Sequence, residues 1–330
     1  MQASINKNIL NEARGKKILV VGDLMLDEFI WGRVARISPE APVPIVEVSE
    51  ESLYPGGAAN VGRNLRPFCA EVEVCGIVGE DVAAEKLAVL FRAAGISTSA
   101  LVVTDLVPTT VKTRIIARQQ QVVRVDRERT NAVTSELRRQ LLDRISEILP
   151  RVDGVIFEDY GKGLLDQDFV DSVIALATAA GKIVTADPNP KNRFLWTGVT
   201  LLKPNRSEAF AMTRRSDPGP VADPLHDDAL LEVVHQIIRE QNIQALLVTL
   251  SEHGMLLVDD RGAVHHTPTH AREVFDVSGA GDTAIAIGTL ALCAGASLIE
   301  AAELANRASG IVVGKLGTAT TTPEELLAEF

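Results

Sequence analysis

A short segment near the carboxyl end of the chain combines closely spaced glycines with a carboxylate. Residues 276–283 read DVSGAGDT, and a long apolar stretch with helical spacing follows them. Glycines directly before a helix let backbone N–H groups converge, and the positive end of the helix dipole favours negative charge. The amides of Gly279, Ala280 and Gly281 are therefore predicted to form an anion hole. Asp282 could accept a proton from a hydroxyl in the same turn, or it could simply cap the helix.

The same glycines also fit a competing pattern. Gly279, Gly281 and Ala284 match the G-x-G-x-x-A spacing of dinucleotide-binding turns. That turn normally follows a strongly apolar strand and opens its domain, whereas this segment follows FDVS late in the sequence. A nicotinamide-dependent oxidoreductase is therefore disfavoured. The sequence also has no G-x-x-x-x-G-K-[ST] motif, so an enzyme that uses ATP would have to hold the phosphates in another way.

A second glycine turn, GGAANVGRN, occupies residues 56–64. Gly56 and Gly57 have no side chain beyond Cα, so a ligand could approach the backbone there. The amide of Asn60 offers both a donor and an acceptor of the kind that sugar hydroxyls need. The turn therefore suits sugar recognition, although a tight packing turn would use the same residues.

Carboxylates follow the predicted strands at their carboxyl ends. Asp23 and Asp27 come just after the apolar run 17–22, and Glu158 comes just after the run 154–157. Ligands of open α/β sheets bind at that edge. Each carboxylate alone could be a solvated loop charge, but together they favour recognition of a polyol.

Another pair of polar residues lies in the segment KPNRSE, residues 203–208. Asn205 and Glu208 have the spacing of a helix capping box. The same two side chains could also organise a magnesium ion through its water molecules, because Mg²⁺ prefers oxygen ligands and keeps several waters.

The elements that must position these residues follow a regular alternation. Short apolar runs typical of buried strands alternate with segments of helical spacing, which predicts a mostly parallel sheet covered by helices on both faces. The predicted strands are residues 17–22, 72–78, 154–157, 183–186, 199–202 and 245–249. The predicted helices are residues 82–94, 135–149, 168–180, 227–240, 281–294 and 298–315.

Two segments interrupt this alternation, at residues 29–49 and 109–128. Both alternate apolar and polar side chains, and the first contains three prolines, which are typical of exposed strands and sheet edges. Together they could form a small sheet that acts as a β lid. A pair of ordinary surface hairpins is the alternative.

The composition excludes some classes of function. The 330 residues include 44 acidic and 33 basic side chains, which gives a formal charge of −11. Nucleic-acid binding needs clustered Lys and Arg, so this balance disfavours it. The beginning of the sequence lacks the apolar core of a signal peptide, and the least polar stretch reads as a core helix. We therefore predict a cytoplasmic protein without a nucleic-acid or membrane partner.

In combination, five motifs resemble the ribokinase-like (PfkB) carbohydrate kinase family. They are residues 56–60, 187–189, 205–208, 248–254 and 276–282, so the resemblance extends over nearly the whole chain. It implies one domain at residues 1–330, built as a ribokinase-like three-layer α/β sandwich with a mostly parallel central sheet and a small β lid. It also implies an ATP-dependent sugar kinase that uses Mg²⁺ and, as in many relatives, a monovalent cation such as K⁺ near Asp276 and residues 314–321.

The resemblance also implies roles for single residues. Asp282 would take the proton from the sugar hydroxyl, and the amides of Gly279, Ala280 and Gly281 would hold the transferred phosphoryl group. Asn205 and Glu208 would act around magnesium, through water, and around the phosphates of ATP. The remaining positions fall into a nucleotide group, which is Thr249, Gly254 and Asn306, and a sugar group, which is Asp23, Asp27, Gly56, Gly57, Asn60 and Glu158.

A narrower resemblance concerns the substrate. The segments 20–27, 36–44 and 119–126 resemble the heptose 7-phosphate kinases of ADP-heptose synthesis for the lipopolysaccharide core. This implies phosphorylation of O1 of D-glycero-β-D-manno-heptose 7-phosphate, with Lys112 and Arg124 as candidate ligands of the 7-phosphate. No part of the sequence resembles the nucleotidyltransferase domain to which that kinase is often fused. Alternatives are another ribokinase-like sugar kinase or a non-catalytic sugar-binding protein. Because the lids of this family often pair between two subunits, the resemblance also implies a homodimer.

Overall fold

The architecture comes from a computed structural model of the chain. The structure describes residues 2–69, 71–118, 120–130, 133–269, 274–315 and 317–330, and for residues 2–5 it describes the backbone only. Residue 119 of the predicted segment 109–128 and residue 316 of the proposed cation segment lie outside the described residues.

The described residues form thirteen strands and ten α-helices. The strands are β1 (Lys17–Gly22), β2 (Leu24–Ile37), β3 (Pro44–Gly57), β4 (Glu71–Gly79), β5 (Leu101–Thr104), β6 (Thr110–Ala117), β7 (Gln120–Arg127), β8 (Gly154–Glu158), β9 (Ile183–Asp187), β10 (Leu201–Leu202), β11 (Ala245–Thr249), β12 (Met255–Asp259) and β13 (Val264–Thr267). The helices are α1 (Gln2–Ala13), α2 (Ala58–Leu65), α3 (Val82–Ala94), α4 (Ser135–Ile148), α5 (Gln167–Ala179), α6 (Arg206–Thr213), α7 (Asp228–Gln241), α8 (Ala280–Cys293), α9 (Leu298–Val313) and α10 (Pro323–Leu327).

A nine-stranded sheet forms the centre of the molecule, in the order β13-β12-β11-β10-β9-β8-β1-β4-β5. Its pairs are parallel except for β11–β12 and β12–β13, which are antiparallel. In β1, Leu19 and Val21 pack into one buried cluster with α4, α5 and α7, and Ile18 and Val20 pack into a second cluster with α2, α3, α8 and α9. Because side chains alternate across a strand, the sheet separates two helix layers, as predicted.

A smaller sheet has the order β3-β2-β6-β7 and is formed by the two irregular segments. β2 begins two residues after β1 ends, and β3 leads directly into α2, so both long strands extend further toward the large sheet than predicted. Every side chain of β7 is exposed. The prediction that this small sheet acts as a lid stays a prediction.

Several elements differ from the sequence prediction. The strand expected at residues 199–202 is reduced to the two residues of β10, and α1, β5 and the pair β12–β13 were not predicted. The antiparallel pair makes the sheet mixed at one edge. Within the described part of the chain, no helix has the length and apolar character that crossing a membrane requires.

Candidate active site

A cavity of about 590 Å³ opens at the carboxyl ends of the central strands, where the first turn of α8 meets β8, β9 and β11. Parallel strands place the loops that follow them at one edge of the sheet, so residues distant in sequence meet there. Ten of the predicted site residues line this cavity: Glu158, Asn205, Glu208, Thr249, Gly254, Gly279, Ala280, Gly281, Asp282 and Asn306.

Asp282 lies in the first turn of α8 and is 6% exposed. Its Oδ2 accepts a hydrogen bond of 2.6 Å from the side-chain amide of Asn60, and its Oδ1 accepts one of 2.9 Å from the Tyr160 hydroxyl. The residue at the N-cap of α8 is Gly279, which has no side chain with which to cap the helix. The capping alternative for Asp282 is therefore wrong, since its carboxylate points across to other elements.

The acidity of Asp282 suits a proton acceptor. Burial, the largest cause, raises the pKa of Asp282 to about 6, while the hydrogen bonds from Asn60 and Tyr160 act in the opposite direction. A general base works best when its pKa lies near the working pH, because it is then ionised and still basic. At neutral pH the Asp282 carboxylate is therefore mostly ionised and more basic than an exposed aspartate.

The backbone of the anion hole depends on a glycine. Gly279 has φ of 84°, in the left-handed region, and a Cβ there would lie 2.9 Å from the Asn60 amide nitrogen. Ala280 and Gly281 follow in the first turn of α8, whose N–H groups have no partner inside the helix. The Ala280 N–H already donates to the carbonyl oxygen of Val277 at 3.3 Å, so among the described residues of this turn the N–H groups of Gly281 and Asp282 remain available to an anion beside the Asp282 carboxylate.

A buried ion pair lies beneath this turn. The Lys203 amine is 2.7 Å from Asp187 Oδ2, and its side chain is 3% exposed. Burial alone would lower the pKa of Lys203, but the charge of Asp187 raises it above the usual value. A Cβ on Gly281 would lie 3.4 Å from the same amine. Lys203 therefore brings a fixed positive charge next to the anion hole.

Glu158, at the end of β8, adds a second buried carboxyl group beside Asp282. It is 2% exposed, and its Oε2 has no hydrogen-bond partner among the described residues. Burial, and then the negative charges of Asp187 and Asp282, raise the pKa of Glu158 well above its usual value. A buried oxygen without a partner costs free energy, so Glu158 is suited to bind a hydroxyl in the cavity.

Asn205 and Glu208 form the capping box of α6. The Asn205 side chain accepts from the Glu208 amide, and Glu208 Oε2 accepts from the Asn205 amide at 2.8 Å. Among the residues that the structure describes, no three His, Cys, Asp or Glu side chains cluster as a metal site. Metal binding by this pair would therefore depend on water or on ligand phosphates, and the capping role accounts for the spacing seen in the sequence.

The predicted nucleotide residues lie at the side of the cavity bounded by β11 and α9. Thr249 ends β11, and Gly254 has φ of 82° at a turn where a Cβ would overlap the carbonyl oxygen of Thr267. Asn306, in α9, donates a 2.7 Å hydrogen bond to the carbonyl oxygen of Pro268. The Asn306 amide therefore already holds the segment after β13 in place.

The predicted sugar residues of the glycine turn pack against the first carboxylates. A Cβ on Gly56 would overlap the Asp27 carboxylate, and Gly57 has φ of 58°. Asp27 is 5% exposed and forms an ion pair with Arg114 of β6. Asn60, in the first turn of α2, connects this region to Asp282 through the hydrogen bond described above.

Asp23 shapes a loop rather than lining the cavity. Its Oδ2 accepts hydrogen bonds of 3.0 Å from the backbone amides of Tyr160 and Lys162, and its Oδ1 accepts one of 3.4 Å from Leu164. Burial raises the pKa of Asp23, whereas these amides lower it. The contact of Asp23 with a sugar stays a prediction.

The two lid cations have different surroundings. Lys112 of β6 is half-buried, its amine lies 6.0 Å from the centre of the Tyr160 ring, and burial lowers its pKa. Arg124 of β7 is exposed and makes two hydrogen bonds, of 2.9 and 3.0 Å, to the carboxylate of Asp126. Lys112 therefore adjoins the site, and Arg124 is already paired with a carboxylate.

Sequence reasoning gave no role to Tyr160 or Lys203, although both line the cavity. Tyr160 stands two residues beyond β8, and Lys203 directly follows β10. The same rule that selected Asp23 and Glu158, polar residues just after a strand, would have selected these two as well.

The chain as a whole is similar to several known proteins. A family model described as pfkB family carbohydrate kinase matches residues 16–325. The chain is 43% identical over 312 residues to the bifunctional protein HldE of Helicobacter pylori strain J99, and 43% identical over 318 residues to the bifunctional protein HldE of Paramagnetospirillum magneticum. These alignments cover 94% and 96% of this chain but only 65% and 64% of the relatives, so the chain spans less than two thirds of their length.

Two solved structures share the fold. A ribokinase of Arabidopsis thaliana, complexed with ribose and ATP, superposes with a TM-score of 0.72 at 17% identity, over 96% of this chain and 98% of the other. Phosphofructokinase-2 of Escherichia coli, in complex with potassium, superposes with a TM-score of 0.75 at 19% identity, over 95% and 97%. The predicted ribokinase-like fold is therefore confirmed.

Proposed function

Because the chain belongs to the pfkB family of carbohydrate kinases, and is therefore a phosphotransferase, we propose that it phosphorylates a sugar phosphate with Asp282 as the base. The observation that carries this proposal is the buried carboxylate of Asp282 in the same helical turn as the backbone amides of the anion hole. The turn faces a cavity of about 590 Å³, within the usual size range of small-molecule sites.

The reaction requires few groups from the protein. A sugar hydroxyl oxygen forms a bond to the γ-phosphorus of ATP, the bond from that phosphorus to the β–γ bridging oxygen breaks, and ADP leaves with the bonding electrons. The hydroxyl proton passes to the carboxylate of Asp282. The amides of the first turn of α8 and the amine of Lys203 stabilise the negative charge on the transferred group, and catalysis is mainly positioning and electrostatic stabilisation.

ATP and Mg²⁺ are proposed on the chemistry of the cavity lining. Thr249, Gly254 and Asn306 would face the nucleotide, and the Arabidopsis relative was solved with ATP. Oxygen donors of Asn205 and Glu208 border the same cavity, which suits a hard cation held through water. When bound, magnesium would neutralise part of the charge of the phosphates.

For the acceptor we propose D-glycero-β-D-manno-heptose 7-phosphate, phosphorylated at O1 to the 1,7-bisphosphate. The proposal is supported by the 43% identity to the proteins named HldE and by the cation Lys112 beside the site. The test is an ADP-release assay across sugars and sugar phosphates, with heptose 7-phosphate among them. Turnover of another sugar phosphate, but not of heptose 7-phosphate, would favour the alternative, a different sugar kinase of the same family.

The pH dependence of the reaction should show the ionisation of the base. Since Asp282 must be ionised to accept a proton, and burial raises its pKa to about 6, kcat/KM should be level above pH 7. It should fall about tenfold per pH unit well below pH 6. Burial also raises the pKa of Asp187 to about 6, so the fall can be steeper than a single ionisation gives. Constant kcat/KM between pH 7.5 and 5 would rule out Asp282 as the base.

Lys112 is expected to recognise the phosphate that the sugar already carries. Lys112→Ala should raise KM for the sugar phosphate by about ten- to a hundredfold, the value of a charge-assisted hydrogen bond, and leave KM for the unphosphorylated sugar within about twofold. Arg124→Ala should have a smaller effect, because Asp126 already pairs with Arg124. Lys182 directly precedes β9, at the end of the strands opposite to the candidate active site, so Lys182→Ala is the matched control. Equal effects of Lys112→Ala on both sugars would argue against phosphate recognition.

Three further predictions accompany the proposal. A homodimer would pair two small sheets, and a monovalent cation such as K⁺ would bind near Asp276. A cytoplasmic location would suit an enzyme that draws on ATP.

A further inference from the structure

Among the described residues, Tyr160 is the one aromatic residue whose side chain donates a hydrogen bond to Asp282. Asn60 uses one lone pair of Oδ2 and Tyr160 uses one lone pair of Oδ1, and each carboxylate oxygen has a second lone pair for a substrate hydroxyl. Two hydrogen bonds at opposite oxygens fix the rotation of the carboxylate about its last bond. Tyr160 is therefore placed to orient the group without occupying the reacting position.

The loop that carries Tyr160 is itself held firmly. Gly161 and Gly163 have φ of 66° and 96°, so the chain turns sharply on both sides of Lys162. The Asp23 carboxylate accepts hydrogen bonds from backbone amides of this loop, as described above. The Lys162 amine forms an ion pair of 2.6 Å with Glu128, at the end of the small sheet. The hydrogen bonds to buried Asp23 on one side and the ion pair of Lys162 on the other restrict the movement of the loop and therefore of the Tyr160 ring.

We propose that Tyr160 is a positioning residue for the phosphoryl transfer: its hydroxyl holds the carboxylate of Asp282 in the orientation that receives the proton of the sugar hydroxyl. The proposal rests on the function proposed above. It assigns to Tyr160 the same task that a third group performs for a base in other enzymes, where it orients the base without reacting.

The electrostatic surroundings support this assignment. Burial, and then the negative charges of Asp282 and Glu158, raise the pKa of Tyr160 well above its usual value, so the hydroxyl keeps its proton and donates to Asp282. The other charged groups around this pair are Asp187 from β9, Lys203 after β10 and Lys112 from β6. Because Tyr160 is the one side chain that donates to Oδ1 of Asp282 in the part of the chain that the structure describes, a change at Tyr160 acts on Asp282 directly.

The kinetic test is Tyr160→Phe, which removes the hydroxyl and keeps the ring. A hydrogen bond to a carboxylate favours its ionised form, so its loss should shift the acid limb of the kcat/KM profile upward by about one to two pH units. At high pH, kcat should remain about tenfold lower because the carboxylate is less fixed, with KM for ATP unchanged. A profile with the same acid limb as the unaltered enzyme overturns the proposal. Tyr54→Phe makes the same chemical change in β3 and should leave the profile unchanged.

A second measurement needs no turnover and keeps Tyr160 in place. The chain has two tyrosines, so uniform incorporation of 3-fluorotyrosine into the Tyr54→Phe protein labels Tyr160 alone. Its ¹⁹F resonance should titrate with a midpoint near pH 6, where Asp282 ionises, and this step should vanish when Asp282→Asn is added. A resonance that is insensitive between pH 5 and 7.5, or a step that survives Asp282→Asn, overturns the proposal.

The two proposals can fail separately. If Asp282→Asn retains activity, the proposed base is wrong whatever the fluorine resonance shows. If Asp282→Asn is inactive but neither Tyr160 measurement responds, the base stands and the role of Tyr160 is wrong.

Discussion

Asp282→Asn is expected to lower kcat by about two to four orders of magnitude. Asparagine has nearly the same shape as aspartate and can still face Asn60 and Tyr160, but its amide cannot take the proton of the sugar hydroxyl. The anion hole and the nucleotide side of the cavity are unchanged by this substitution. The measurement is steady-state ADP release at pH 7.5, together with a thermal shift on adding ATP and Mg²⁺, which should persist.

A matched control separates loss of the base from loss of a charge. Asp171, on the exposed side of α5, is also an aspartate in a helix, and its carboxylate accepts only from Gln167 among the described side chains. Asp171→Asn should keep kcat within about twofold, as surface substitutions usually do. If Asp282→Asn also stayed within a few-fold of the unaltered enzyme, another group would have to be the base.

Lys203→Met is expected to lower the free energy of unfolding by about 3–5 kcal/mol at pH 7.5, the usual cost of removing one partner of a buried ion pair. Methionine fills a similar volume, so the loss comes from the carboxylate of Asp187 that remains without its partner. Even with Lys203 present, burial raises the pKa of Asp187 to about 6. Without Lys203 that pKa rises further, so Asp187 takes up a proton as the pH falls. The destabilisation should therefore be largest above pH 7 and smaller near pH 5.

The double variant tests the cause of this loss. Adding Asp187→Asn to Lys203→Met removes the stranded charge and should recover most of the stability, as measured by urea unfolding. Asp187→Asn alone should be destabilising, since it leaves the buried amine of Lys203 without its carboxylate. Additive losses in the double variant would show that the two side chains do not act as a pair.

Local features of the site could be predicted because short stretches of sequence specify them. Gly279 must adopt a positive φ before a helix, and this appears in the sequence as a glycine cluster in front of an apolar helical run. The alternation of apolar runs and helical segments likewise predicted the two helix layers. The capping box of Asn205 and Glu208 was equally visible, since its two members are three residues apart.

Contacts between distant parts of the chain could not be predicted in the same way. Asn60 and Asp282 are 222 residues apart, and Tyr160 and Asp282 are 122 apart. Which residues face each other depends on strand order and on the direction in which each side chain leaves its loop, and neither is encoded locally. The residue type does not determine the partner either, because the Asp23 carboxylate can accept hydrogen bonds from sugar hydroxyls as well as from the backbone amides that it contacts.

The irregular elements were missed for a related reason. The strands of the antiparallel edge, β12 and β13, have five and four residues, and β13 reads VHHT, which contains no apolar run. Their place at the edge is fixed by the pairing of β12 with β11 and of β13 with β12. The N-terminal helix α1 has few apolar positions, so its packing against α8 was not apparent from composition.

The two longest strands have a mechanical consequence. β2 and β3 have 14 residues each, or about 45 Å of extended chain, and they are rooted at Asp23 and Gly57 beside the candidate active site. A lid movement of the small sheet, as predicted from the sequence, would therefore pivot next to the proposed substrates. A rotation of about 10° at the pivot would displace the far tip by roughly 8 Å for an arm of that length. A movement too small to detect beside the reacting groups would thus give a large, measurable displacement at the far end of β2 and β3.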